Sequence, residues 1–265
     1  MRLKFGNHSF DTASGVSIAI PLDFGGKQVN AWDVPRASSL ATEAGELIGD
    51  TRRGGSCNFE THTLIPHCNG THTECVGHIT MERVSISDCL KDPLMLAALV
   101  TLQSTRATAT SEALTDKSYD ADNILTANSL RDALSSLEID EVSALVIRTS
   151  PNDSSKTHRL YNDDSAPYFS KDCIQLINDL GIKHIICDLP SIDRMNDGGS
   201  LLNHRTFWNL NDPSDSPDSV SREKTITELA YIPESLPDGV YVLDLQIPHF
   251  VADAAPSRPI LFSIE

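Results

Sequence analysis

The chain alternates between short apolar runs and polar stretches, and the runs define its elements. Residues 94–102 are apolar on all sides, and periodicity leaves a buried strand and a buried helix both open there. Residues 142–148 and 182–187 are rich in Val, Ile and Leu and stop at turn residues, which predicts buried strands. Ahead of the second of these, residues 171–180 form a helix that Ser170 can cap and Gly181 stops. Helix, glycine, strand in that order indicates an α/β arrangement. A further helix is predicted over 125–137, where Leu130, Ala133, Leu134 and Leu137 keep helical spacing and Asn128 or Ser129 can cap.

Weaker patterns fill in the rest. Residues 17–22 read as a strand ending at a proline, 57–64 alternate weakly, and 80–86 are a candidate strand after them. Alternation returns at 225–232, and 239–245 and 260–264 look like closing strands, the first preceded by the turn Pro237-Asp238-Gly239. Residues 25–56 read as a loop, a candidate lid; Trp32 there either lines a pocket or, more simply, anchors the loop. Residues 152–167 read as exposed loop and 211–223 as a Pro/Ser/Asp-rich surface insertion. With no internal repeat and no linker, residues 1–265 are expected to form one mixed α/β domain.

Composition narrows the partners. A chain of 265 residues can bury a sizeable core. Its net charge of -16 argues against nucleic acid or an anionic membrane surface as a partner. The N-terminal residues lack an apolar signal core, and the stretch 93–102 is too short to span a bilayer. The 6 cysteines contain no CxxC pair, which fits free thiols in a reducing compartment, so a cytoplasmic protein is expected.

Chemistry concentrates in residues 67–78, where His67, His72 and His78, Glu74, and Cys68 and Cys75 fall together. Positions 68, 72, 74 and 78 share one parity, so on an extended chain they face one side. His72 and Glu74 then stand about 6–7 Å apart and can converge on one divalent ion. Cys68 and His78 would lie about 13 Å away on a straight strand, so Gly70 and Gly77 must let the chain bend. The same pattern also suits polar residues on a half-exposed strand. His62 and His67 are read as bystanders, and His158, His184 and His249, which have no partner motif, as structural.

Gly70-Thr71-His72-x-Glu74-x-x-x-His78 resembles the H-x-G-T-H-x-D-x-P-x-H signature of the cyclase-type metal hydrolases, which include bacterial kynurenine formamidases and isatin hydrolases. Further segments are similar to that family in the same order: Val146-Ile147-Arg148-Thr149, Asp188-Leu189-Pro190-Ser191-Ile192-Asp193, Asn203-His204-Arg205, Thr227-Glu228-Leu229 and Pro256-Ser257-Arg258. The resemblance runs from about residue 57 to the end. It implies a swivelling β/β/α domain: a mixed, barrel-like sheet with few flanking helices.

It also implies roles. His72, Glu74, His204 and Glu228 correspond to metal ligands, the last two from distant strands, and His78 to the acid/base. Ser191 and Asp193 can support them through hydrogen bonds. Cys68 stands where the family has its first ligand histidine, Glu74 where it has Asp, and Val76 where it has Pro. A thiolate at 68 would favour Zn²⁺ over Mn²⁺, and one or two ions are compatible with the set. The implied activity is hydrolysis of a C–N amide bond, in a formamide or cyclic amide, by metal-activated water. Two other readings accompany it: a catalytically inactive cyclase-fold protein that binds a small molecule or metal, and a Cys68 or Cys75 nucleophile paired with His72 or His78. Family members assemble as homo-oligomers whose loops cover a neighbour's site, and 25–56 is the candidate for that loop.

Overall fold

The computed structural model describes residues 1–115, 118–163 and 165–264. Its centre is a nine-stranded sheet. In chain order its strands are β1 (Val16–Ser17), β2 (His72–Cys75), β3 (Leu94–Gln103), β4 (Ala144–Ser150) and β5 (His184–Cys187). They are followed by β6 (Thr225–Glu228), β7 (Gly239–Asp244), β8 (Ala254–Pro256) and β9 (Ile260–Ser263). Across the sheet the order is β8-β2-β6-β5-β4-β3-β7-β9-β1. The middle four, β3 to β6, run parallel, and antiparallel strands complete both sides. The sheet curls into a half-barrel with few helices, the α/β form that the resemblance implies.

Burial on both faces explains the unbroken apolar run at 94–102. Leu96, Ala98, Val100 and Leu102 enter one core, whereas Met95, Ala97 and Leu99 enter the other. A strand covered on both sides has no polar face, so it shows no period, and β3 is a strand. Helices Ala127–Leu134 and Lys171–Asp179 cover the first core. Ser170 caps the latter as expected, by accepting from Cys173 N. In the former the cap is Thr126, not Asn128 or Ser129; Ser129 instead closes a capping box with Thr126.

Several expectations give way to local geometry. Residues 80–86 form no strand; the chain turns and enters a short helix at Ile86–Cys89. Residues 66–69 are a helical turn opened by Pro66, and residues 76–78 are a 3₁₀ turn, so the extended segment is only His72–Cys75. The segment 25–56 is not plain loop: Ser38–Ala41 pairs with Glu60–Thr63, and Glu43–Ala44 with Leu47–Ile48.

Candidate metal centre

Strand β2 lies between β8 and β6, and the register places Glu228 directly opposite His72. Neighbours at that position in an antiparallel pair present their side chains to one face. His72 Nε2 therefore sits 3.7 Å from Glu228 Oε2. Two residues along, Glu74 points to the same side and is 1% exposed. Its oxygens face different donors. Oε1 lies 2.9 Å from His204 Nε2, whereas Oε2 lies 3.4 Å from His67 Nε2 and 3.8 Å from His78 Nδ1. One ligand atom each from His72, Glu74 and Glu228 falls within 4.8 Å of the others, and the same holds for His67, Glu74 and His78.

Hydrogen bonds fix how the imidazoles present themselves. A carbonyl oxygen only accepts, so His72 Nδ1 carries the proton in its 3.0 Å bond to Gly70 O. That leaves His72 Nε2 as a lone pair, buried and without a hydrogen-bond partner. An orphaned imidazole lone pair facing two carboxylates is the chemistry of a metal ligand, so this residue set fits a divalent ion. His204 is held similarly: its Nδ1 donates to Asp193 Oδ2 at 2.6 Å, turning Nε2 toward Glu74 and, at 3.8 Å, toward Glu228 Oε1. Asp193 in turn accepts from the backbone N–H of Asn203 and His204, and Glu228 Oε1 accepts from Ile192 N.

The proton affinities follow from this crowding. Burial pushes the Glu74 carboxyl up, but His78, His204 and His67 together hold it below the ordinary carboxylate range. For Glu228 burial wins, reinforced by the charge on Glu74, and its carboxyl is raised well above the usual value. Burial lowers His72 to about 4 and keeps it neutral. Burial also opposes charge on His204, yet its bonds to Asp193 and Glu74 outweigh that and raise it well above the ordinary value.

The structure brings together His72, Glu74, His204, Glu228 and His78 of the residues singled out in the sequence. His204 arrives from a helix, Leu202–Trp208, rather than from a strand. Cys68 borders the same cavity but, like His204, falls outside both donor groups; for Cys68 the helical turn breaks the parity argument that placed it with His72. Burial pushes its thiol up to about 11. Cys75 packs into the core and donates to Val84 O, and contact with Cys89 followed by burial raises its thiol strongly.

Two neighbours of the cluster escape a reading by strand parity. His67 comes into contact with Glu74 because residues 66–69 are helical, a state that Pro66 signals. Asp253 reaches both His67 and His78 at 3.1 and 3.4 Å, and no motif marks it. Around these groups lies a cavity of about 350 Å³ with Trp32, Met195 and Leu201 in its wall. Trp32 also anchors its segment, since its Nε1 donates to Met195 O at 3.1 Å. Trp32 and Leu201, together with Leu229 just after Glu228, hold left-handed backbone conformations without being glycine. Such strain collects at functional sites, where the surroundings over-determine the chain.

A curled mixed sheet carrying a His/carboxylate cluster defines the class: an α/β protein with the donor set of a divalent metal site. The chain belongs to the Cyclase family, whose family model ("Putative cyclase") matches residues 16–194. Among solved structures, an isatin hydrolase bound to the product analogue thioisatinate superposes with a TM-score of 0.62 at 12% identity, over 95% of this chain and 92% of its own. Isatin hydrolase A from Labrenzia aggregata gives 0.61 at 13% identity, over 95% and 94%. A predicted metal-dependent hydrolase from Bacillus stearothermophilus gives 0.57 at 16%, over 94% and 97%. At these identities the likeness is one of fold. No curated protein sequence matches the chain.

Proposed function

We propose that the protein is a metal-dependent hydrolase of a C–N amide bond, in a formamide or cyclic amide, with His78 as acid/base. One observation carries this reading: His72 Nε2 is a buried, partnerless lone pair set against Glu74 and Glu228 beside an open cavity. His72, Glu74, His204 and Glu228 would hold Zn²⁺ or Mn²⁺. A divalent ion in such a site lowers the pKa of its water to about 7 and polarises a carbonyl oxygen. The chain's own residues do the rest. Asp193 holds His204 in one orientation, and Gly70 O does the same for His72. His78, about a quarter exposed at the cavity, takes a proton and returns it to the leaving nitrogen. Trp32, Met195 and Leu201 offer an apolar wall to a small flat group, which favours an aryl amide.

The test is direct. Protein stripped by a chelator should lose turnover of N-formyl aryl amines and recover it on adding Zn²⁺ or Mn²⁺. Turnover that ignores the chelator would sink the proposal. A second reading, a cyclase-fold protein that binds a small molecule or metal without turnover, draws on Cys68, which stands outside both donor groups where the resemblance places a ligand histidine. Tight ligand binding with no turnover across a panel of amides and lactones would favour it.

A further inference from the structure

A cavity of about 620 Å³ lies along residues 17–22, which continue β1. It is larger than the metal cavity of about 350 Å³, and no residue lines both. The helical turn Pro66–Asn69 is the partition between them. Pro66 and Asn69 face the larger cavity, whereas His67 and Cys68 face the metal centre. Leu22, Leu64, Pro66, Tyr231 and Pro233 make the wall of the larger cavity mainly apolar. We propose that this cavity is a second ligand site, separate from the metal centre, for a small apolar molecule carrying one carboxylate.

Charge argues for the carboxylate. The chain has 37 Asp and Glu residues and a net charge of -16, yet none of the described residues lining this cavity is acidic. The one charged side chain on the wall is Arg258, and among the described residues no carboxylate pairs with its guanidinium. A lone cation on an acid-free wall favours an anionic guest over a neutral one. Its parallel N–H donors match a carboxylate. Ser257, beside it on the wall, has a buried Oγ with no hydrogen-bond partner. A buried hydroxyl left unpaired is costly, and an oxygen of the guest would supply the partner. One cation and apolar walls fit a monoanion with a hydrocarbon body; a phosphate dianion would leave charge unpaired against leucine and proline.

The walls are pinned by the fold itself. Ser257 N donates to Thr71 O at 3.1 Å and Arg258 N to Gln246 O at 3.3 Å, which fixes the link between β8 and β9. Ile20 N donates to Thr71 Oγ1 at 2.8 Å, and Tyr231 N to Ile18 O at 2.8 Å. A backbone held in this way spares a guest the cost of ordering its site. A concave, mostly apolar, preformed pocket with few polar groups is what small-molecule sites share.

The test uses the full chain stripped by a chelator, so that no carboxylate can bind through an ion. Octanoate is titrated in a calorimeter, with octanol as its neutral counterpart. One equivalent of octanoate should bind, about tenfold or more tighter than octanol, the margin that one charged hydrogen bond supplies. Arg258→Met should erase that margin, and Arg258→Lys should keep part of it. Leu64→Trp fills the cavity with Arg258 untouched and should abolish binding of both probes; thermal melts verify that each variant is folded. Equal affinity for acid and alcohol, or octanoate binding that ignores Arg258→Met, overturns the site. Absence of octanoate binding overturns it too, and if Arg258→Met then lowers the mass seen by light scattering, the cavity belongs to a second copy of the chain. None of these measurements involves hydrolysis, so failure of the hydrolase reading leaves the site standing.

Discussion

Asp193 decides what His204 can do. Its carboxylate accepts the hydrogen bond from His204 Nδ1–H at 2.6 Å and is itself held by two backbone N–H groups, which fixes the ring facing Glu74. Asp193→Asn keeps the shape and removes the charge. Supporting partners of this kind are worth about 10–100-fold in metal affinity or activity, and a loss of that size is expected in a Zn²⁺ competition assay. Wild-type affinity in a folded variant would place His204 outside the centre. At this scale the sequence is a partial guide. His72 and Glu74 are legible because the chain between them is truly extended, so parity holds. His67 is not, because parity fails where the backbone turns helical. Asp253 is invisible for another reason: a lone aspartate three residues ahead of Pro256 becomes chemical only through strand pairing with β2.

Pairing between elements also explains the other buried histidine. His184 opens β5 and its Nδ1 lies 2.8 Å from Thr225 Oγ1 on β6, joining two parallel strands well away from the donor groups. Burial, then the charge of Lys183, lowers it to about 4. Unfolded, it takes up a proton near pH 6.5. Between those values the unfolded chain binds more protons, so stability is full above pH 6.5 and falls as pH drops toward about 4. The shift corresponds to about 3 kcal/mol. Urea unfolding from pH 7 to 4 should show the decline, and His184→Gln should flatten it; an unchanged slope in the variant would locate the acid sensitivity elsewhere. Elements with their own stop signals were legible, as with Ser170 and Gly181 around one helix. The helix that carries His204 was not, because its start at Leu201 is a left-handed residue with no side-chain cap, and tertiary packing of Phe207 and Trp208 selects it.

For the whole molecule, the segment 25–56 bears on assembly. Strands of two to four residues cannot display a period, which is why it reads as loop in the sequence although it is a paired β-arm. Near its root Trp32 is bonded to Met195 at the cavity, and farther out Leu40 and Leu47 are 72% and 49% exposed. An arm tethered at the site with apolar residues farther along is suited to lie across a second copy. The family resemblance implies the same homo-oligomer. Among the described residues no helix is long and apolar enough to cross a membrane. Light scattering should therefore give a mass that is a multiple of 28.9 kDa. Leu40→Lys combined with Leu47→Lys leaves the arm's backbone pairing intact and puts charge where a partner would sit, so the mass should fall toward 28.9 kDa. A wild type that already scatters as a single chain removes the assembly. The cavity then takes its substrate without a neighbour, closed only by the residues that already line it.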